Sequence, residues 1–171
     1  MRVAVTGTPG TGKTTAVNEL DTDLTVVHLN DVIREEGMYT TVDEDRESVV
    51  ADLDAIAEWL SGSDDVLFES HLAHYFDADV TVVLRCHPET LERRLLDRGE
   101  PRGKARENAE SEALDVILSE TLTRQDDDCV FEIETTTDSP TETASKIQAV
   151  LDGARQPSYG TVDYTDYLEE S

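Results

Sequence analysis

Residues 2–15 read RVAVTGTPGTGKTT, and this stretch decides the fold. The first five, RVAVT, are a short β-branched run of the kind that forms a buried parallel strand. The next eight, Gly7-Thr8-Pro9-Gly10-Thr11-Gly12-Lys13-Thr14, match the spacing G-x-x-x-x-G-K-S/T in full. Gly7, Gly10 and Gly12 let the backbone turn tightly and aim its N–H groups at phosphate oxygens. A helix opening at Lys13 adds the positive end of its dipole. In that geometry Lys13 reaches the β- and γ-phosphates, and the Thr14 hydroxyl is placed to hold Mg²⁺. The motif specifies a nucleotide phosphate and nothing finer.

Outward from the loop, apolar runs alternate regularly. Strands are expected at 24–29, 66–69, 79–85 and 129–134. Helices are expected at 13–20, from 30 or 31 to 36, through Val49–Leu60, and at 88–98, 108–123 and 140–152. This order predicts an α/β domain over residues 1–155: a five-stranded parallel sheet with helices on both faces. Residues 37–45 are polar and irregular, and 99–107 break the pattern with Gly and Pro. The tail, 156–171, is acidic yet holds Tyr159, Tyr164 and Tyr167. It reads as a flexible terminus, with docking on the body or on a partner as the alternative.

The chain carries 39 acidic residues against 14 basic ones, for a net charge of −25, and only Lys13, Lys104 and Lys146 are lysines. Recurrent apolar runs argue against disorder. The balance instead fits a folded protein adapted to concentrated salt, where surface self-repulsion is screened. No apolar stretch is long enough to span a membrane, and the N-terminus enters a strand without a signal-peptide layout, so the expected location is the cytoplasm. Cys86 and Cys129 read as reduced, mostly buried thiols.

Against this acidic background, Arg93, Arg94, Arg98, Arg102, Lys104 and Arg106 fall within 14 residues. Arg94 and Arg98 share a helix face, and Arg forks match phosphate oxygens. Such a segment reads as a mobile lid of about 98–108 over the phosphate loop; a solvated helix face with internal ion pairs is the alternative. Glu69 ends a strand, where side chains enter the ligand crevice of an open α/β sheet and a carboxylate can hold Mg²⁺. His71 is placed to position a water or hydroxyl, or to cap a helix. His71 and His74 lack the further ligands a zinc site needs. His28 and His87 carry no argument beyond local packing. Arg34 and Arg46, isolated among acids, either hold an anionic substrate or pair with their neighbours.

Taken together, GTPGTGKTT (7–15), LNDVIREEG (29–37), VDEDRESVVADLD (42–54), ESH (69–71) and the spacing RG-x4-K-x2-EN over 98–108 resemble the CINAP-type adenylate kinases, also called adenylate kinase isoenzyme six. The resemblance covers about residues 1–150. It implies a nucleoside-monophosphate-kinase fold, transfer of the terminal phosphoryl of ATP to AMP or a related monophosphate, and ATPase activity. It also implies late maturation of the small ribosomal subunit through transient binding of ribosomal protein S-eleven. Carried over by position, Gly10, Gly12, Lys13, Thr14 and Thr15 bind ATP. The segment 28–51 binds the monophosphate with Arg34 as a phosphate ligand, Arg98 meets the nucleotide from the lid, and His71 is the histidine of the acid-x-His motif. Glu69 stands where eukaryotic members carry Asp. The expected state is a monomer. Direct RNA contact would have to use the basic island, since the remaining surface opposes phosphate backbones. The alternative is a kinase of another small metabolite, such as shikimate or a sugar acid. A GTPase reading lacks an N-K-x-D guanine reader.

The charge count predicts that the fold loosens when salt is removed. Circular dichroism should report lost helix between about 2 M and about 0.1 M KCl; identical spectra at both would count against a salt-adapted fold.

Overall fold

The computed structural model describes residues 1–45 and 48–170. Its elements run in the order β1 (Arg2–Thr6), α1 (Lys13–Asn18), β2 (Thr25–His28), α2 (Leu29–Glu35), β3 (Tyr39–Asp43), β4 (Ser48–Ala51), α3 (Leu53–Leu60), β5 (Val66–Glu69), β6 (Val80–Arg85), α4 (Pro88–Asp97), α5 (Arg102–Ala113), α6 (Val116–Arg124), β7 (Val130–Glu134), α7 (Pro140–Leu151) and α8 (Asp166–Glu169). Five strands form one sheet in the order β2-β5-β1-β6-β7. All four pairings are parallel.

The pleat explains the two faces. Val3, Val5, Leu67, Val82, Leu84 and Ile133 point to one side and pack on Ala16, Val17 and Ile147 of α1 and α7. Ala4, Val66 and Phe68 point to the other and pack on α2 and α3 through Leu29, Ile33, Ile56 and Leu60. On that same side Val83 and Val130 meet Leu118 of α6. Burying each such Val, Leu or Ile contributes roughly 1.5–3 kcal/mol. Ser139 caps α7 by accepting from Glu142 N at 3.1 Å, with Pro140 at the first helical position. β1 lies at the centre, where the chain turns first to one side and then to the other. The carboxyl ends around it are where an open α/β sheet binds its ligand.

The architecture is the expected one, with four local differences. The helix expected from Val49 begins later. Val49 and Ala51 pack on the core while Val50 is 51% exposed, an alternation of two, and β4 pairs with β3 as an antiparallel hairpin. The polar stretch 37–45 is therefore largely β3. The helix expected over 108–123 is two helices, broken at Asp115, whose φ is 56°. The segment 99–107 is mostly helix, because α5 starts directly after Pro101 and buries Ala105, Ala109 and Ala113 against α4.

The fourth difference is the tail, which docks on the body. Ser158 bridges to β7, with Glu132 N donating to Ser158 O at 2.8 Å. Tyr164 and Tyr167 are buried with Leu91, Leu95 and Ala109, and Tyr167 Oη donates to Glu92 at 2.9 Å. Cys86 is buried in the same cluster and Cys129 is half-buried; both are free thiols. Among the described residues no helix is long and apolar enough to cross a membrane.

Removing the Tyr164 ring should therefore cost stability like a core truncation. Tyr164→Ala is expected to destabilise by about 3 kcal/mol, lowering the thermal midpoint by roughly 6–12 °C. A midpoint within about 1 °C of the parent would show that the tail contributes little to the fold.

Candidate active site

The phosphate loop joins the C-terminal end of β1 to α1. A Cβ on Gly7 would stand 2.7 Å from Leu84 O and 2.8 Å from Thr11 Oγ1, so no side chain fits where the loop passes beneath β6. Gly12 has φ 93° at the mouth of α1, a conformation that favours glycine. Thr11 ties the loop internally, its hydroxyl donating to Thr8 O at 2.8 Å. Lys13 is only 8% exposed, and its ammonium donates to Gly7 O at 2.8 Å and Thr8 O at 3.2 Å. Burial pulls its pKa down to about 8, and the Arg98 charge acts in the same direction; Glu69 and Glu112 oppose them.

Glu69, at the end of β5, is 4% exposed. Its Oε1 accepts from Thr14 Oγ1 at 3.0 Å and from His28 Nδ1 at 2.8 Å. The two residues expected to hold Mg²⁺ thus meet directly. A hydroxyl and a carboxylate are hard oxygen donors, and one or two protein oxygens beside phosphates are what Mg²⁺ takes, so the donor set fits. His28 was expected only to pack. Instead it orients Glu69 from β2, the neighbouring strand. Its partner lies 41 positions away, which no spacing rule detects. Asn30 lines the same cavity and accepts from Ser70 Oγ at 2.7 Å.

A cavity of about 680 Å³ opens over the loop. Lys13, Thr14, Thr15, Glu69, His71 and Arg98 line it together. Burial and the Lys13 charge push His71 down to about 4, so it is a neutral imidazole at neutral pH. Neither His71 nor His74 makes a zinc pair: His74 is fully buried, with Nδ1 2.8 Å from Thr6 Oγ1 and Nε2 2.7 Å from Glu120. Thr135, Asp138, Pro140 and Thr143 also line the cavity.

The basic island divides. Arg94 is a staple, donating to Gly10 O at 3.2 Å and to Thr135 O at 3.3 Å, and it ties α4 to the loop. Arg98 closes α4 and reaches the cavity. Lys104 and Arg106 pair with Glu100 and Glu110 one turn away. Arg34 is exposed in the last turn of α2, outside the lining of this cavity. Arg46 lies outside the described residues.

A family model described as an AAA domain matches residues 3–115. Proteins named "Putative adenylate kinase" are similar over nearly the whole chain. Those of Natronomonas pharaonis and Halobacterium salinarum are each 60% identical over 98% of this chain and 100% of their own length. That of Methanosarcina barkeri is 42% identical over 98% of this chain and 100% of its own. Among solved structures, the shikimate kinase of Acinetobacter baumannii in complex with shikimate superposes with a TM-score of 0.62 at 14% identity, covering 90% of this chain and 94% of that one. At that identity the likeness establishes the fold alone.

The Lys13 environment predicts a pH dependence. A phosphorylated ligand needs the ammonium form, and that form is lost as pH rises through about 8, well below the range of an exposed lysine. Affinity for a nucleoside triphosphate, measured by titration calorimetry, should decline between about pH 7 and pH 9. A flat profile to pH 10 would contradict the depressed value.

Proposed function

The chain belongs to the adenylate kinase family of its archaeal relatives, and on that premise we propose that it transfers the terminal phosphoryl of ATP to AMP or a related nucleoside monophosphate. One observation carries the reading: a phosphate loop with its Lys13, a Thr14–Glu69 pair, and the Arg98 and His71 side chains all line one cavity. The triphosphate lies along the loop, where Lys13 and the backbone N–H groups meet its oxygens. Thr14 and Glu69 would hold Mg²⁺, which would neutralise charge on the phosphates during transfer. Arg98 meets the transferring phosphoryl from the end of α4. The monophosphate enters from the 28–51 side, formed by α2 and the β3–β4 hairpin, with Arg34 and Arg46 as its phosphate ligands.

Transfer is in line. An oxygen of the acceptor phosphate bonds to the γ-phosphorus as the bond to the β–γ bridging oxygen breaks, and ADP leaves with that electron pair. No side-chain nucleophile is required, so positioning and fixed positive charge supply the catalysis. His71, neutral at working pH, can donate one hydrogen bond and accept another. It therefore holds a water in place of the acceptor when ATP is hydrolysed.

The ordered motifs from 7 to 108 extend the proposal to the CINAP-type subgroup. With it come cytoplasmic ATPase activity and transient binding of ribosomal protein S-eleven during maturation of the small ribosomal subunit. The net charge of −25 favours a basic protein partner over direct contact with RNA.

Phosphoryl transfer from ATP to a panel of nucleoside monophosphates, with hydrolysis followed in parallel in molar KCl and Mg²⁺, tests the reading. Transfer to AMP or a related monophosphate is expected. Lys13→Ala should abolish both activities, and His71→Ala should slow hydrolysis more than it weakens nucleotide binding. Transfer to shikimate or a sugar acid, with none to any monophosphate, would replace this reading with that of a metabolite kinase.

A further inference from the structure

Glu69 and His71 line the cavity, and Ser70 between them is fully buried. Its backbone is fixed to the central strand, with Ser70 N donating to Val5 O at 3.1 Å, and Ala73 N donates to Ser70 O at 3.1 Å. Its hydroxyl accepts from Leu72 N at 3.0 Å and donates to Asn30 Oδ1 at 2.7 Å. A serine hydroxyl has one hydrogen, and here Asn30 receives it. That bond orients the amide. Oδ1 faces Ser70, so the Nδ2 group, with its two N–H donors, is turned away from it. Among the described residues Nδ2 has no protein partner, and Asn30 lines the cavity with Thr14, Glu69 and His71.

Two donors without a protein acceptor, at the wall of a phosphate cavity, call for a ligand oxygen. The sheet order says which ligand. β2 and α2 lie beyond β5 on one flank of the loop, whereas Arg94, Arg98 and Thr135 line the cavity from α4 and the end of β7 on the other. Asn30 is the α2 residue that reaches the cavity; Arg34 does not line it. We infer that Asn30 is a substrate contact: its Nδ2 donates to an oxygen of the acceptor monophosphate's phosphate group, and Ser70 is the positioning residue that aims it. This rests on the kinase reading of the same site and deepens it. A neutral donor adds no charge that could pair with Glu69 in place of the substrate. In the run Glu69-Ser70-His71 the outer two residues enter the cavity themselves. The middle one acts through Asn30, 40 positions away.

Asn30→Asp is the sharpest test. Asp keeps the oxygen that accepts from Ser70 and exchanges only Nδ2 for a second, charged oxygen. The position is in the first turn of α2, where a carboxylate suits the helix, so the fold is expected to hold. KM for AMP, or for whichever nucleoside monophosphate the parent prefers, should rise on the order of thirtyfold, and roughly tenfold in Asn30→Ala. The Kd for ATP with Mg²⁺, read by titration calorimetry in molar KCl, should stay within about twofold of the parent. Ser70→Ala should raise the monophosphate KM about threefold in the parent and no further in an Asn30→Ala background. A merely structural Ser70 would add its loss in both backgrounds, and that result would overturn its positioning role. A folded Asn30→Asp protein with the parental monophosphate KM would overturn the inference, as would equal losses toward ATP and the monophosphate. If Asn30→Asp does not fold, Asn30→Ala decides by the same criteria. Should the parent transfer to no monophosphate, the kinase reading fails, and calorimetric titration of the parent and Asn30→Ala with AMP still judges Asn30. Weaker binding to the variant supports the contact; equal binding, or none to either, overturns it.

Discussion

A lysine ammonium that is 8% exposed has to be surrounded by oxygen, and the site is built around that demand. The carbonyls of Gly7 and Thr8 meet Lys13 directly. They can do so only because Gly7 passes beneath Leu84 O, where a Cβ would collide. That approach in turn needs β1 and β6 as parallel neighbours in register, Thr6 beside Val83. A local motif and a long-range strand pairing thus depend on one another.

What was legible in the sequence divides along the same line. The loop and the five strands rest on neighbours within a few positions, and they fall where local patterns put them. Lys13, Thr14, Glu69, His71 and Arg98 were each readable and do line one cavity. His28 and Arg85 were not, because their partners lie 41 and 27 or more positions away. The break at Asp115 has the same origin. A non-glycine residue in the left-handed region costs about 1–2 kcal/mol, and nothing nearby announces it. The Asp115 carboxylate pairs with Arg85, 30 positions distant. α5 was misread for a different reason: its buried stripe is Ala105, Ala109 and Ala113, whose small side chains barely register as an apolar period.

The distribution of cations makes physical sense of the extreme charge. A chain with so few bases uses several of them as staples, Arg85 buried and Arg2 and Arg94 half-buried. Arg2 donates to the carbonyls of Leu60, Ser63 and Asp77; Arg94 holds Gly10 and Thr135; Arg85 gathers three carboxylates. Salt screens exposed pairs, such as Arg106 with Glu110, far more than buried ones. Cations kept in the interior therefore continue to act at ionic strengths where a surface ion pair contributes almost nothing.

The helical state of α5 changes what a lid can be in this protein. A flexible flap of about ten residues would carry its arginines freely over the phosphates. Here Leu91 and Leu95 of α4 stand against Gly10, Arg94 bonds the loop, and α5 and the tail pack on α4 through Ala105, Ala109 and Tyr167. Only the turn 98–101, with Gly99 at φ 88°, interrupts the helices. Arg98 therefore reaches the cavity from the end of a helix already fixed to the loop, so its backbone position is set by α4. The β3–β4 hairpin, by contrast, presents Val42 and Val50 with more than half of each exposed and forms a sheet of its own, packing on the core through Val49 and Ala51 rather than joining the central sheet.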